Sequence, residues 1–400
     1  MASKVEHRVH MFNQVCLIGI AILLFAGFCF GQAAVVLSPK GKVSVGWSEF
    51  MTQDMSRWNR YENVLSVDNV GSLQLLGRYH TGGSVFSSPA VVNGVVYIGS
   101  DDAAMYALNT HNGARLWRDY TGGAVASSPA VANGVVYAGS DDFNLYAADA
   151  TTGTLLWRSE VGSVGQSSPS VANGVVFIGG CLGCRGGVNA LNASTGAMLW
   201  SYATSDSPIR GSFPVANGVV YVGAGDVYAL NASTGTLLWS YTLGGYGASA
   251  SPAVANGVVY VGAYDDNVYA LDASTGALLW SFTTGDEVDS SPAVANGVVY
   301  IDSSDGNLYA LNASTGAMLW SYGTGYWSWS SPAVANGVVY VGGSDENVYA
   351  LNARTGHKLW RYHTGGSVYS SPAVVNGVVY VGSVDGNVYA FGLPHSLEAK

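Results

Sequence analysis

Charge is what this chain has least of. Only 10% of its 400 residues are Asp, Glu, Lys or Arg, and 16 cations face 26 acids, for a formal net charge of −10. No basic stripe can form from so few cations, which excludes nucleic acid as an expected partner. Cysteine is nearly absent, at four residues. Two of these, Cys16 and Cys29, sit near the start, so the fold cannot be a disulfide scaffold and must rest on buried apolar surface. No window carries a 3.6-residue apolar period long enough for a helix, which removes bundles and helical solenoids. Zinc needs two more ligands than Cys181 and Cys184 supply, and the Asp-x-Asp-x-Asn-Gly calcium loop is missing, so no metal is expected.

Glycine is abundant, at 53 residues, and tyrosine numbers 25. Both are distributed in a repeat. The Asn of an Asn-Gly pair recurs at Asn93, Asn133, Asn173, Asn217, Asn256, Asn296, Asn336 and Asn376, about 40 residues apart. Self-similarity at this period means stacked units that bury their apolar faces on one another. In the unit around Asn336, the runs Val338 to Val341, Val348 to Leu351 and Lys358 to Tyr362 are β-branched and aromatic, and turn residues separate them. Asn-Gly between two such runs predicts a hairpin, because a type I′ turn needs positive φ twice. The preceding Ser-Ser-Pro-Ala-Val reads as a fourth strand, with Pro near its start where no ladder N–H is lost.

Four short strands per unit and eight units predict an all-β, eight-bladed β-propeller of four-stranded blades. A Trp marks the last strand at Trp117, Trp157, Trp200, Trp239, Trp280, Trp320 and Trp360, and the eighth unit lacks it. The stretch from Ser72 to Gly83 mimics that strand with Gly77 at the Trp place, so the N-terminal strand is expected to complete the last blade and close the ring. The repeated Trp reads as packing between blades.

The segment Ala-Leu-Asn-Ala-Ser-Thr-Gly-x-x-x-Trp, at Ala190 to Trp200, Ala229 to Trp239 and Ala310 to Trp320, resembles the repeat of the PQQ-binding-like, or quinoprotein-type, β-propeller family. That resemblance covers roughly residues 71–392. It implies an envelope protein, either a PQQ-dependent dehydrogenase or an assembly propeller of the BamB type, and the fold does not choose between them.

Residues 1–31 read as a secretory signal, with Lys4 and Arg8 ahead of the apolar run Val15 to Phe28. An uncleaved membrane anchor is the alternative. Phe28 before Cys29 argues against lipidation. Residues 32–70 form a leader, 71–393 the propeller and 394–400 a tail. A secreted or periplasmic monomer is expected. In that oxidising compartment Cys181 and Cys184, in a loop found in one unit only, are expected to form a disulfide.

Strand alternation places the Asn-Gly and Asn-Ala-Ser-Thr-Gly turns on one face and the Ser-Asp-Asp-x-Asn hairpins and Thr-Gly-Gly connections on the other. The second face varies between units. Seven residues before each Asn-Gly Asn stand Phe86, Ala126, Gln166, Arg210, Ser249, Asp289, Trp329 and Tyr369. With Tyr326 and Trp327, these are the candidate binding residues at a funnel mouth, for a protein partner or for a carbohydrate or other small ligand. PQQ with calcium would need several cations, an oxygen cage and a catalytic carboxylate. Only Arg210 answers the first need, so the expected function is a non-catalytic binding or assembly scaffold without cofactor, and a PQQ-dependent oxidoreductase is the alternative.

Overall fold

The computed structural model describes residues 36–37, 43–44, 46–51, 56–181, 186–204, 209–244, 247–248, 250–327 and 329–394. The signal segment read at 1–31, Cys184, Ser249 and the tail after Pro394 lie outside them.

Each unit folds as an antiparallel four-stranded sheet, and eight such sheets follow one another. Blade 1 runs Ala90–Val92, Val95–Ser100, Ala104–Asn109 and Arg115–Tyr120. The Asn-Gly turns take the predicted shape, with φ of +50 at Asn93 and +78 at Gly94, repeated at Asn133 and Gly134. A residue with a branched side chain would be strained at either place. Blade 8 is completed from the front of the chain. Gln74–His80 pairs antiparallel with Asn387–Gly392, and Gly77 faces Ala390 as Trp360 faces Ala350 in blade 7.

A chain of serine contacts closes the circle. The second Ser of each Ser-Ser-Pro offers its hydroxyl to the backbone N–H of its counterpart in the preceding blade: Ser128 Oγ accepts from Ser88 N at 2.9 Å and Ser168 Oγ from Ser128 N at 3.0 Å. The series resumes through Ser251, Ser291, Ser331 and Ser371, and Ser88 Oγ accepts from Ser371 N at 2.8 Å across the joint between the chain's two ends. Between blades 3 and 4 the Gly211 carbonyl takes over, accepting from Ser168 N. The first Ser of the pair works within its blade, as Ser87 Oγ accepts from Gly99 N at 3.0 Å. Buried N–H groups thereby keep partners where inner strands converge.

The tryptophans join the outer parts of neighbouring blades. Trp280 Nε1 donates to the Ala313 carbonyl of the next blade at 2.9 Å, and its ring lies against Gly316, where an added Cβ would come within 2.7 Å of it. Tyr260 tilts onto the same indole at 5.9 Å and donates its hydroxyl to the same carbonyl. Trp117, Trp157, Trp200, Trp239 and Trp320 repeat this contact, and Trp360 donates to the Leu73 carbonyl. The hairpin Asp residues have a comparable duty. Asp142 accepts from the Tyr146 hydroxyl and from Gly122 N, clasping the connection that enters the blade.

The leader runs along the free edges of the inner strands. Trp47 exchanges both backbone hydrogen bonds with Val91 of blade 1, Ser48 O accepts from Val131 N of blade 2, and Glu49 Oε2 from Val171 N of blade 3. The chain then reaches the far side. Ser56 O accepts from Val294 N of blade 6, Trp58–Asn59 pairs in parallel with blade 7, and Asn59 Nδ2 donates to the Val374 carbonyl of blade 8. Arg57, fully buried, donates to the carbonyls of Phe50, Pro332, Ser331 and Pro372 and lies 4.5 Å from the Phe50 ring centroid. Burial lowers its pKa to about 9. The leader therefore stops the central channel and gives the inner strands partners they would otherwise lack.

Candidate functional site

Above this stop lies a cavity of about 640 Å³, counting its solvent-open mouth. Its walls come from the ring position that the repeat singles out. Phe86, Ala126, Gln166 and Arg210 line it from one blade after another, and Asp289, Trp329 and Tyr369 continue the circle. Phe50 of the leader and the serines of the ring form the rest of the lining. Nothing in the repeat points to Phe50 or to the leader's path. The serine ring did leave a signal, a Ser-Ser in six of the eight units where a strand requires only alternation.

The wall is divided by chemistry. Phe86 and Tyr369 stack nearly parallel, at 5.8 Å and 3°, across the seam between blades 8 and 1, and Trp329 lies 5.0 Å from Tyr369. These three rings form one aromatic arc. The rest of the wall carries Gln166, Arg210 and Asp289. Burial raises the Asp289 carboxyl above the usual carboxylate range, opposed by a Tyr264 hydrogen bond and the nearby Arg210 charge. Glu287 is pushed up as well, by burial and by the neighbouring Asp289, Asp286 and Asp266. Tyr326 and Trp327 do not line the cavity. They stand on the connection into blade 7, 72% and 58% exposed, and Trp327 has a φ of +60.

Other polar features lie apart from the cavity. Cys181 is disulfide-bonded, at the loop of blade 3 where Asn189 replaces the usual Tyr and donates to the Val161 and Gly180 carbonyls. His363 pairs with Glu346 at 3.4 Å. Among the described residues no three His, Cys, Asp or Glu side chains converge as a metal site.

The cavity does not match the needs of a tricarboxylate quinone with calcium. Its lining offers one guanidinium and one carboxylate, and the serine hydroxyls at its base already accept backbone N–H groups. None of its hydroxyls has an imidazole base in the lining. The lining combines stacking surface with one cation and one acid.

Indole-docked seams, a closing N-terminal strand and a stopped channel define an eight-bladed propeller of quinoprotein type. The chain belongs to the family described as outer membrane protein assembly factor BamB, whose profile matches residues 56–211, 184–322 and 265–393. Solved structures with the same fold include BamB from Moraxella catarrhalis, with 20% identity and a TM-score of 0.69 over 80% of this chain and 100% of that one. The quinohemoprotein alcohol dehydrogenase of Comamonas testosteroni is 18% identical with a TM-score of 0.75 over 90% and 82%, and a europium-containing methanol dehydrogenase is 16% identical with a TM-score of 0.73 over 87% and 98%. At these identities the likeness is one of fold. Curated protein sequences yield no match.

Proposed function

We propose that this protein is a non-catalytic binding propeller of the cell envelope, engaging a protein partner through its variable face. The observation that carries this reading is the aromatic arc of Phe86, Tyr369 and Trp329, continued outward by exposed Tyr326 and Trp327. Aromatic residues and Arg are the usual anchors of protein interfaces, and here they gather on the one face where the repeats differ. The family's description as an assembly factor supports a protein as the occupant and the envelope as the place. The expected bond between Cys181 and Cys184 agrees with export to an oxidising compartment.

Calorimetric and absorbance titration with PQQ and Ca²⁺ separates this reading from the oxidoreductase. The expected result is no saturable heat and no dye-linked alcohol oxidation. Saturable binding accompanied by turnover overturns the proposal.

A further inference from the structure

The seam between blades 8 and 1 lacks the indole found at the other seven. Gly77 stands at the Trp place, and an added Cβ there would meet nothing within 4 Å. The receiving side of the seam is nevertheless intact. Gly113 keeps the turn conformation, with φ of +68 against +74 at Gly153. A Cβ on Gly153 would strike the Trp117 ring at 2.8 Å, whereas one on Gly113 would meet nothing within 4 Å. Tyr380 occupies the place of Tyr260, the residue that tilts onto the docked Trp280. What remains is a pocket of about 680 Å³, counting its mouth, with Val96, Leu108 and Tyr380 buried at its floor and Gly77 and Gly113 exposed at its rim. All 11 tryptophans of the chain lie at other described positions, so none of them can fill it.

We propose that this slot binds a planar aromatic ligand of the indole class. The molecule itself supplies the template. Six seams show an indole held by a turn glycine, a tilted ring and a backbone carbonyl that accepts its N–H, and at the seventh Trp360 keeps the carbonyl contact, donating to Leu73. At the eighth, the ring of the ligand would lie over Gly113 beside Tyr380, and its N–H would donate to the carbonyl of Thr110, which holds the position of Ala313. Apolar burial provides the affinity and the single N–H fixes the orientation. This site lies at a blade seam among the framework turns, away from the funnel, and does not depend on the function proposed above.

Calorimetry of the full chain with free indole, and separately with a short peptide ending in Trp, tests the assignment and distinguishes a small molecule from a protein-borne side chain. Saturable binding of either is expected. Gly77→Trp supplies the missing indole internally, so the folded variant should bind at least about tenfold more weakly with an unchanged or raised melting temperature. Should Gly77→Trp fail to fold, Gly77→Leu fills the same slot and the same loss is expected. Absence of saturable binding to both probes, or equal affinity in the folded variant, overturns the proposal. So does indole binding that appears only after residues 395–400 are removed, which would assign the slot to the tail.

Discussion

Glu49 places a carboxylate where the leader crosses the inner strands, accepting from Val171 N, and burial pushes its pKa up from 4.5 to about 7. The folded state therefore holds its proton more tightly than the unfolded chain. The stabilising contribution is complete below pH of about 4.5 and is lost as pH rises through about 7. Glu49→Gln keeps the acceptor without the charge. It should be more stable than the parent by about 2 kcal/mol near pH of about 8 and equal to it near pH of about 4. Denaturant melts at the two pH values check this, and a less stable variant at the higher pH would contradict it. Arg57 was not legible as the hub it is, because it occurs once, in a segment without repeats, and its partners are backbone carbonyls distant in sequence. Arg57→Ala should destabilise by about 3 kcal/mol, since four carbonyls lose a charged donor, and Arg57→Lys should recover little because a point charge cannot replace the planar fork. Chemical denaturation of both variants measures the loss and the lack of rescue.

Blades were readable because each strand carries its own signal: Asn-Gly for the first turn, β-branched runs for the two middle strands, and Trp for the outer one. Gly77 opposite Ala390 is as the sequence predicts, since the match to Thr-Gly-x-x-Leu-Trp-Arg-Tyr-His extends on both sides of it. The leader's course was not readable, because it bonds through its main chain and backbone groups leave no side-chain pattern. Deleting residues 74–80 would strip the outer strand from Asn387–Gly392 and leave an open edge. Light scattering on the eluted variant should show oligomers or loss of soluble protein, and a stable monomer would refute the closure's importance. At a seam, Trp280→Ala removes both the ring packed on Gly316 and the donor to Ala313, so it should cost about 3–5 kcal/mol.

Taken as a ring, the molecule divides labour between a framework that repeats and a face that does not. The candidate residues Phe86, Gln166, Arg210, Asp289, Trp329 and Tyr369 meet in one cavity because register places position after position at the same height around the axis. Sequence spacing could reveal that register. It could not reveal that Phe50 rises into the same space from below, or that Tyr326 and Trp327 stay outside it. The same residue type thus serves two ends. Trp280 is 9% exposed and belongs to the copied seams, whereas Trp329 is 37% exposed and occurs once at its ring position. The most direct measurement compares Trp329→Ala with Trp280→Ala for retention of envelope proteins on the immobilised chain, alongside thermal melts. Binding through the variable face predicts that Trp329→Ala loses the retained partner, by about 2 kcal/mol or more in affinity, at a nearly unchanged melting temperature. Trp280→Ala should lower the melting temperature and leave the folded fraction competent. Equal destabilisation by the two variants, with retention unaffected by Trp329→Ala, would contradict the account.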